Sequence, residues 1–208
     1  FGAPASKLKV DAVVRLQPAL FSPEGWKGYK FSDDSREFPG DDLDVPSGVT
    51  DDKGAYGVTL ALPKSVQPGS MLRALVYAEV FDTGGRPVGA SSSVAVHAWP
   101  QYYGLKQKGK AEARVGVPVT LSLAVVKPDG KKGGSPKAGF VVKRRVWYSI
   151  FQRYGWGSGQ GYDASSYDEV IVQKEFEVKG TREYVFTPNR PGEYQVYFGE
   201  AEGMRTVM

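Results

Sequence analysis

The segment Lys7–Gln17, KLKVDAVVRLQ, places Leu8, Val10, Ala12, Val14 and Leu16 on one side of an extended chain. Lys7, Lys9, Asp11, Arg15 and Gln17 fall on the other, with Val13 the one apolar exception. Period two over this length predicts a strand buried on one face. The pattern recurs along the chain. Strands are expected over Ala55–Leu62 (AYGVTLAL), Leu72–Phe81, Ser91–Ala98 and Gly116–Val126. More follow in FVVKRRVWYSIF, DEVIVQKEFEVKG, REYVFTP and GEYQVYFGEAEG. No segment longer than about ten residues shows helical spacing with caps. Strands at this spacing, divided by Gly, Pro and Asp turns, define an all-β sandwich, and the pattern is given twice.

The turns read the same way. EVFDTGGRPVGASSSVAV is a hairpin in which Gly84 and Gly85 can take positive φ. In Gly116–Val126, Val119, Leu121, Leu123 and Val125 alternate against Thr120, Ser122, Ala124 and Val126. KPDGKKGGSPKAG reads as turn and linker, and PGEY, Pro191–Tyr194, as a tight entry into the last long strand. Residues Ala19–Gly48 break the grammar with Pro23, Pro39, Pro46 and five scattered aromatics, Phe21, Trp26, Tyr29, Phe31 and Phe38. The run Asp41, Asp42, Asp44 lacks the fixed offsets of a calcium loop and reads as solvated loop. HAWPQYYGLK is a second break, so the modules are placed at 1–98 and 99–208, with a short linker near Ala98–Gln101. Charge steps at the same point: net −2 before residue 99 and +6 from there on.

Chemistry is sparse. Without cysteine there is no disulfide, thiolate site, Cys nucleophile or thioester in this chain. The single histidine, His97, ends a strand and reads as structural. No phosphate loop or nucleophile elbow is present, so no catalytic, cofactor-binding or metal-binding residue is assigned. The positive charge is spread over several turns and falls short of a nucleic-acid footprint. No run of about 20 apolar residues would span a membrane. The opening FGAPASK has neither an initiator Met nor a signal-peptide pattern, so the chain reads as an excised or processed piece. One stretch could make contacts: RYGWGSGQGYD, with four glycines in eleven residues, joins two long strands. Tyr154, Trp156 and Tyr162 in it are the candidate contact residues, since aromatics between glycines suit binding loops.

The order of motifs resembles bacterial alpha-2-macroglobulins. Phe1, Gly2, Ala3, Pro4 and Ala5 match a turn that leads into an alternating strand in that family. Gly-Tyr-x-Phe at Gly28–Phe31, TDDKG, and the strand–Gly-Gly-Arg-Pro-Val–strand unit follow in order. YYGLK at Tyr102–Lys106 resembles the start of the next macroglobulin domain. VVKPDG, VKRRVWY and GEYQVYF complete the series over essentially the whole chain. The resemblance implies two tandem immunoglobulin/fibronectin-III-like macroglobulin β-sandwiches. It implies a scaffold piece of a large, broad-range endopeptidase inhibitor, lipid-anchored in the periplasm, that traps a protease after bait-region cleavage. Its partners would be other domains of the same inhibitor and the trapped endopeptidases, with no nucleic acid, no cofactor and no membrane insertion by this segment. The family's Cys-Glu-Gln thioester would lie elsewhere or be absent. In the family at least one strand precedes the first turn, so the first module is expected to lack one or more strands. It would then expose a sheet edge open to another chain. The alternatives are tandem immunoglobulin-like domains of an adhesin or carbohydrate-binding protein, and an enzyme built on a carboxylate pair.

Overall fold

The computed structural model describes residues 4–63, 65–109, 112–153 and 160–208, with residues 152–153 and 160–162 described by backbone only. The described residues form antiparallel strands and no helix. They divide into two compact units. The first comprises residues 1–21 and 35–100, and the second residues 22–34 and 101–208. The chain therefore passes between the units three times, not only near Ala98–Gln101.

The first unit is built on one sheet. Strand β1 (Lys9–Ala19) sits between β2 (Asp41–Leu43) and β4 (Met71–Phe81). β5 (Pro87–Val96) lies beyond β4, and the two residues of β3 (Gly48–Val49) pair with the start of β1. The alternation of β1 is realised residue by residue: Val10, Val14 and Leu16 are buried, while Val13 is exposed. In the β4–β5 hairpin, Asp82 accepts hydrogen bonds from the amides of Gly84 (2.8 Å) and Arg86 (2.9 Å). Of the two turn glycines only Gly85 takes positive φ, at 79°. Asp42 lies in β2 and is held by both Arg15 Nε (2.7 Å) and Nη2 (2.8 Å), so Asp41 and Asp42 are strand edge rather than loop, while Asp44 lies past the strand's end. The Arg15 guanidinium keeps the Asp42 carboxyl below its ordinary range.

Ala55–Leu62 departs from expectation. It joins no ladder. Leu60 and Leu62 still pack on the cluster of Val14, Leu16, Val66, Leu72 and Ala74, together with Phe38, Leu43, Val45, Val76 and Val96. Period two records that every second side chain is buried. It does not record whether a neighbouring strand is present to take the backbone hydrogen bonds. Here Leu60 and Leu62 pack on the core while the segment pairs with no described strand.

The second unit has two sheets. One runs β10 (Thr181–Phe186), β7 (Val119–Val126), β6 (Tyr102–Lys108). The other runs β12 (Arg205–Val207), β11 (Glu193–Gly199), β8 (Gly134–Arg153), β9 (Gln160–Lys179). β8 starts at Gly134, inside the stretch read as linker, and pairs with β9 from Gly134 to Arg153 with two register shifts. Tyr103, Leu105, Leu123, Val125, Phe140, Val142 and Phe198 are fully buried in the core. The Tyr103 and Phe198 rings meet edge to face at 5.3 Å. Burial pushes the Tyr103 hydroxyl up to about 12 and raises Tyr102 in the same direction.

β7 does not alternate. From Leu121 to Val126 both faces are buried. The cause is residues 22–34, which pack as a strap on the outer face of the three-stranded sheet. Lys30 and Leu105 exchange backbone hydrogen bonds of 2.8 and 2.9 Å. The Phe31 ring lies over Gly104, the Tyr29 and Ser122 hydroxyls share a 2.7 Å hydrogen bond, and Trp26 Nε1 donates to the Gly130 carbonyl at 2.8 Å. On the other sheet, Val207 N–H donates to the Ser32 carbonyl at 3.1 Å. Arg205 Nε donates at 2.5 Å to Asp33, whose side chain is wholly buried. Small residues facing outward on neighbouring strands, Gly104, Ser122 and Ala124, let the strap's aromatic rings lie close.

Candidate functional site, an aromatic arm on the second unit

β11 pairs with β8 only as far as Glu193↔Arg145, whereas β8 and β9 stay paired out to Arg153↔Gln160. Residues 146–153 and 160–167 thus form a two-stranded ribbon that no third described strand joins. A lone hairpin is marginally stable in water, so its base must be fixed. Arg144 donates from Nη2 (2.8 Å) and Nε (3.2 Å) to Glu169, and from Nη1 to the Pro191 carbonyl at 3.3 Å. Arg145 donates to Asp168 at 3.3 Å, and the Lys143 ammonium sits 4.9 Å from the Tyr197 ring centroid. These contacts leave the arm's root ordered and its charges paired.

Beyond the root, large apolar side chains stand on both faces of the ribbon, among Ser149, Asp163, Ser165 and Ser166. Strand alternation puts Tyr148, Ile150 and, across the ladder, Tyr167 on one face. Trp147 and Phe151 lie on the other. All five are exposed, Trp147 by 61%. The Tyr148 and Tyr167 rings stand 6.1 Å apart. Exposed aromatics gathered on one element mark a contact surface. Of the contact residues expected from sequence, Tyr154 and Trp156 lie outside the described residues. The Tyr162 backbone pairs with Phe151, and its side chain is outside the description. The arm residues were visible in VWYSIF, but alternation alone sends half of them into a core, and only the end of the β11 pairing shows that the core stops short of them.

Elsewhere the candidates resolve into packing. His97 stands at the end of β5 with its ring edge-on to Phe21 at 5.7 Å, and burial lowers its pKa. Among the described residues no group of three or more His, Asp or Glu side chains gathers to hold a metal. A cavity of about 390 Å³ opens at one end of the second unit, lined largely by Val115, Val119, Leu121, Phe186, Tyr194 and Val196. Its lining brings no pair of carboxylates together.

The described residues thus form all-β antiparallel units, and the comparisons with known proteins give them the macroglobulin type of fold. Residues 1–100 match the family of the bacterial alpha-2-macroglobulin MG5 domain. Through those residues, 100 of the 208, the chain resembles the bacterial alpha-2-macroglobulins. The alpha-2-macroglobulin of Pasteurella multocida (strain Pm70) is 22% identical over 198 residues, covering 93% of this chain and 10% of that protein. The fold matches Escherichia coli alpha-2-macroglobulin in its native conformation, with TM-score 0.62 and 16% identity over all of this chain and 14% of that one. It also matches the same protein activated by porcine elastase, with TM-score 0.62 and 18% identity over all of this chain and 19% of that one. The chain spans about a tenth of the length of the curated relative it matches.

Proposed function

We propose that this chain is a scaffold segment of a bacterial alpha-2-macroglobulin-like endopeptidase inhibitor, a longer protein that traps proteases after its bait region is cut. The observation that carries the reading is the MG5-domain match over residues 1–100. A relative that elastase activates supports proteases as the partners of the longer protein. The segment's work is mechanical. Core packing and the strap hold the second unit rigid, and the arm presents Trp147, Tyr148, Ile150, Phe151 and Tyr167 to other domains of the same inhibitor. The place of action is the periplasm, on a lipid-anchored parent, which cell fractionation of the longer protein checks.

The test is made in the longer protein. Trp147→Ser with Phe151→Ser leaves the melting temperature of the exposed arm's unit nearly unchanged, since surface substitutions shift stability by about 0.5 kcal/mol or less. It lowers the fraction of added protease that co-elutes with the inhibitor after cleavage. An inhibitor that retains no protease even in its unsubstituted form refutes the trapping role. Unchanged trapping by the double variant refutes the arm as the contact element.

A further inference from the structure

Residues 22–34 lie within the stretch 1–100 that matches the MG5 domain, yet they fold with the second unit. Both feet of this strap stay in the first unit. At one foot, Phe21 N–H donates to Ser70 Oγ at 3.1 Å. At the other, the Arg36 guanidinium stands 5.8 Å from the Trp99 ring centroid. Between the feet, the strap's backbone bonds to an edge strand of each sheet of the second unit. Lys30 pairs with Leu105 on β6, and the Ser32 carbonyl accepts from Val207 on β12. The Lys106 ammonium donates to the Lys27 carbonyl at 3.0 Å and lies 5.6 Å from the Tyr29 ring centroid. Phe31 is buried, and the Asp33 carboxylate is wholly buried against Arg205. A buried carboxylate is costly unless paired, so Arg205 fixes the register in which the strap seats.

We propose that the second unit carries a built receptor site for residues 22–34, and that this site, not the linker near Ala98–Gln101 alone, joins the two halves of the chain. The ligand class is an extended peptide with aromatic rings at its first, fourth and sixth positions and a carboxylate at its eighth. Trp26, Tyr29, Phe31 and Asp33 supply that pattern. The site answers each part of it. Gly104 gives the Phe31 ring its space, Ser122 bonds the Tyr29 hydroxyl, the Gly130 carbonyl takes the Trp26 N–H, and Arg205 takes the carboxylate. Backbone bonds to a sheet edge supply affinity in this mode of recognition, and the side-chain contacts supply selectivity. The joint is non-covalent, and the strap is rooted in the first unit on both sides. Cutting the backbone between Pro100 and Gln101 therefore leaves residues 1–100 attached to residues 101–208.

The experiment inserts a flexible, protease-cleavable sequence between Pro100 and Gln101 of the full chain, at a point where Pro100 is exposed. After cleavage the two fragments are expected to co-elute in size-exclusion chromatography without denaturant. A synthetic peptide of residues 22–34, SPEGWKGYKFSDD, added in large excess, releases the fragment 1–100. The same peptide carrying Phe31→Ala does not. Placed in the chain itself, Phe31→Ala weakens the joint by about a hundred- to a thousand-fold, the factor that loss of a buried Phe ring carries. Circular dichroism of the uncut variant checks its fold, and the peptide competition needs no variant chain. Fragments that separate when the unsubstituted chain is cut overturn the proposal. So does co-elution that either excess peptide or Phe31→Ala leaves unchanged, since the joint then lies outside the strap.

Discussion

Gly104 and Phe31 offer a test of how the strap is seated. A methyl group added at Gly104 would stand 2.4 Å from Cε1, 2.8 Å from Cζ and 3.0 Å from Cδ1 of the Phe31 ring. Carbon atoms rest about 3.5–4.0 Å apart, so the ring must move by about 1 Å. It has little room, being 3% exposed, stacked near Tyr29 at 6.0 Å and edge-on to Trp26 at 6.4 Å. Overpacking of this kind costs about 1–3 kcal/mol. Against it stands about 0.5–1 kcal/mol regained by removing a glycine from a strand. Gly104→Ala is therefore expected to destabilise the second unit by about 1–2 kcal/mol. Phe31→Ala removes the ring and costs about 3–5 kcal/mol. In the Phe31→Ala background the clash is gone, so Gly104→Ala becomes neutral or stabilising by up to about 1 kcal/mol. The coupling is about 2 kcal/mol, and its signature is a reversal of sign. Urea unfolding followed by tryptophan fluorescence measures all four proteins, taking the transition that Phe31→Ala moves as that of the second unit. If Gly104→Ala has the same sign and size in both backgrounds, Phe31 does not rest on Gly104 and the strap is seated differently.

Other perturbations should act locally. Leu72→Ala leaves a cavity in the first unit's cluster and is expected to cost about 2–5 kcal/mol, read as a shift in one unfolding transition with the other unmoved. Asp33→Ala strips the buried carboxylate from Arg205 and is expected to cost about 3 kcal/mol, with faster proteolytic cleavage within residues 22–34 as a second readout. Alkaline stability follows from Tyr103, which ionises near pH 10 when unfolded but is held neutral to about 12 when folded. Its contribution is complete below pH 10 and lost as pH rises through 12; Tyr102 acts in the same sense. Denaturant titrations across this range should show a fall that Tyr103→Phe makes shallower, and an equal fall in that variant would refute the assignment.

Local chemistry was legible in the sequence. Alternation in KVDAVVRLQPA named the buried face of β1, and Asp82 with its two glycines named the hairpin turn. The apolar strands read at residues 140–151 and 168–180 announced the β8–β9 hairpin, though both strands run further than that. These features depend on neighbours a few residues apart, where backbone geometry alone sets which side chains share a face. Ala55–Leu62 shows the boundary of that reading, because alternation is common to a paired strand and to an unpaired segment lying on a core. The double burial of β7, the transfer of Trp26, Tyr29 and Phe31 to the second unit, and the exposure of the arm's aromatics were decided by tertiary structure. Each depends on which distant segment covers a face, and the pattern along one strand carries no record of that. Sequence determined the strands and their faces; only the folded chain decided which faces the chain's own distant segments cover.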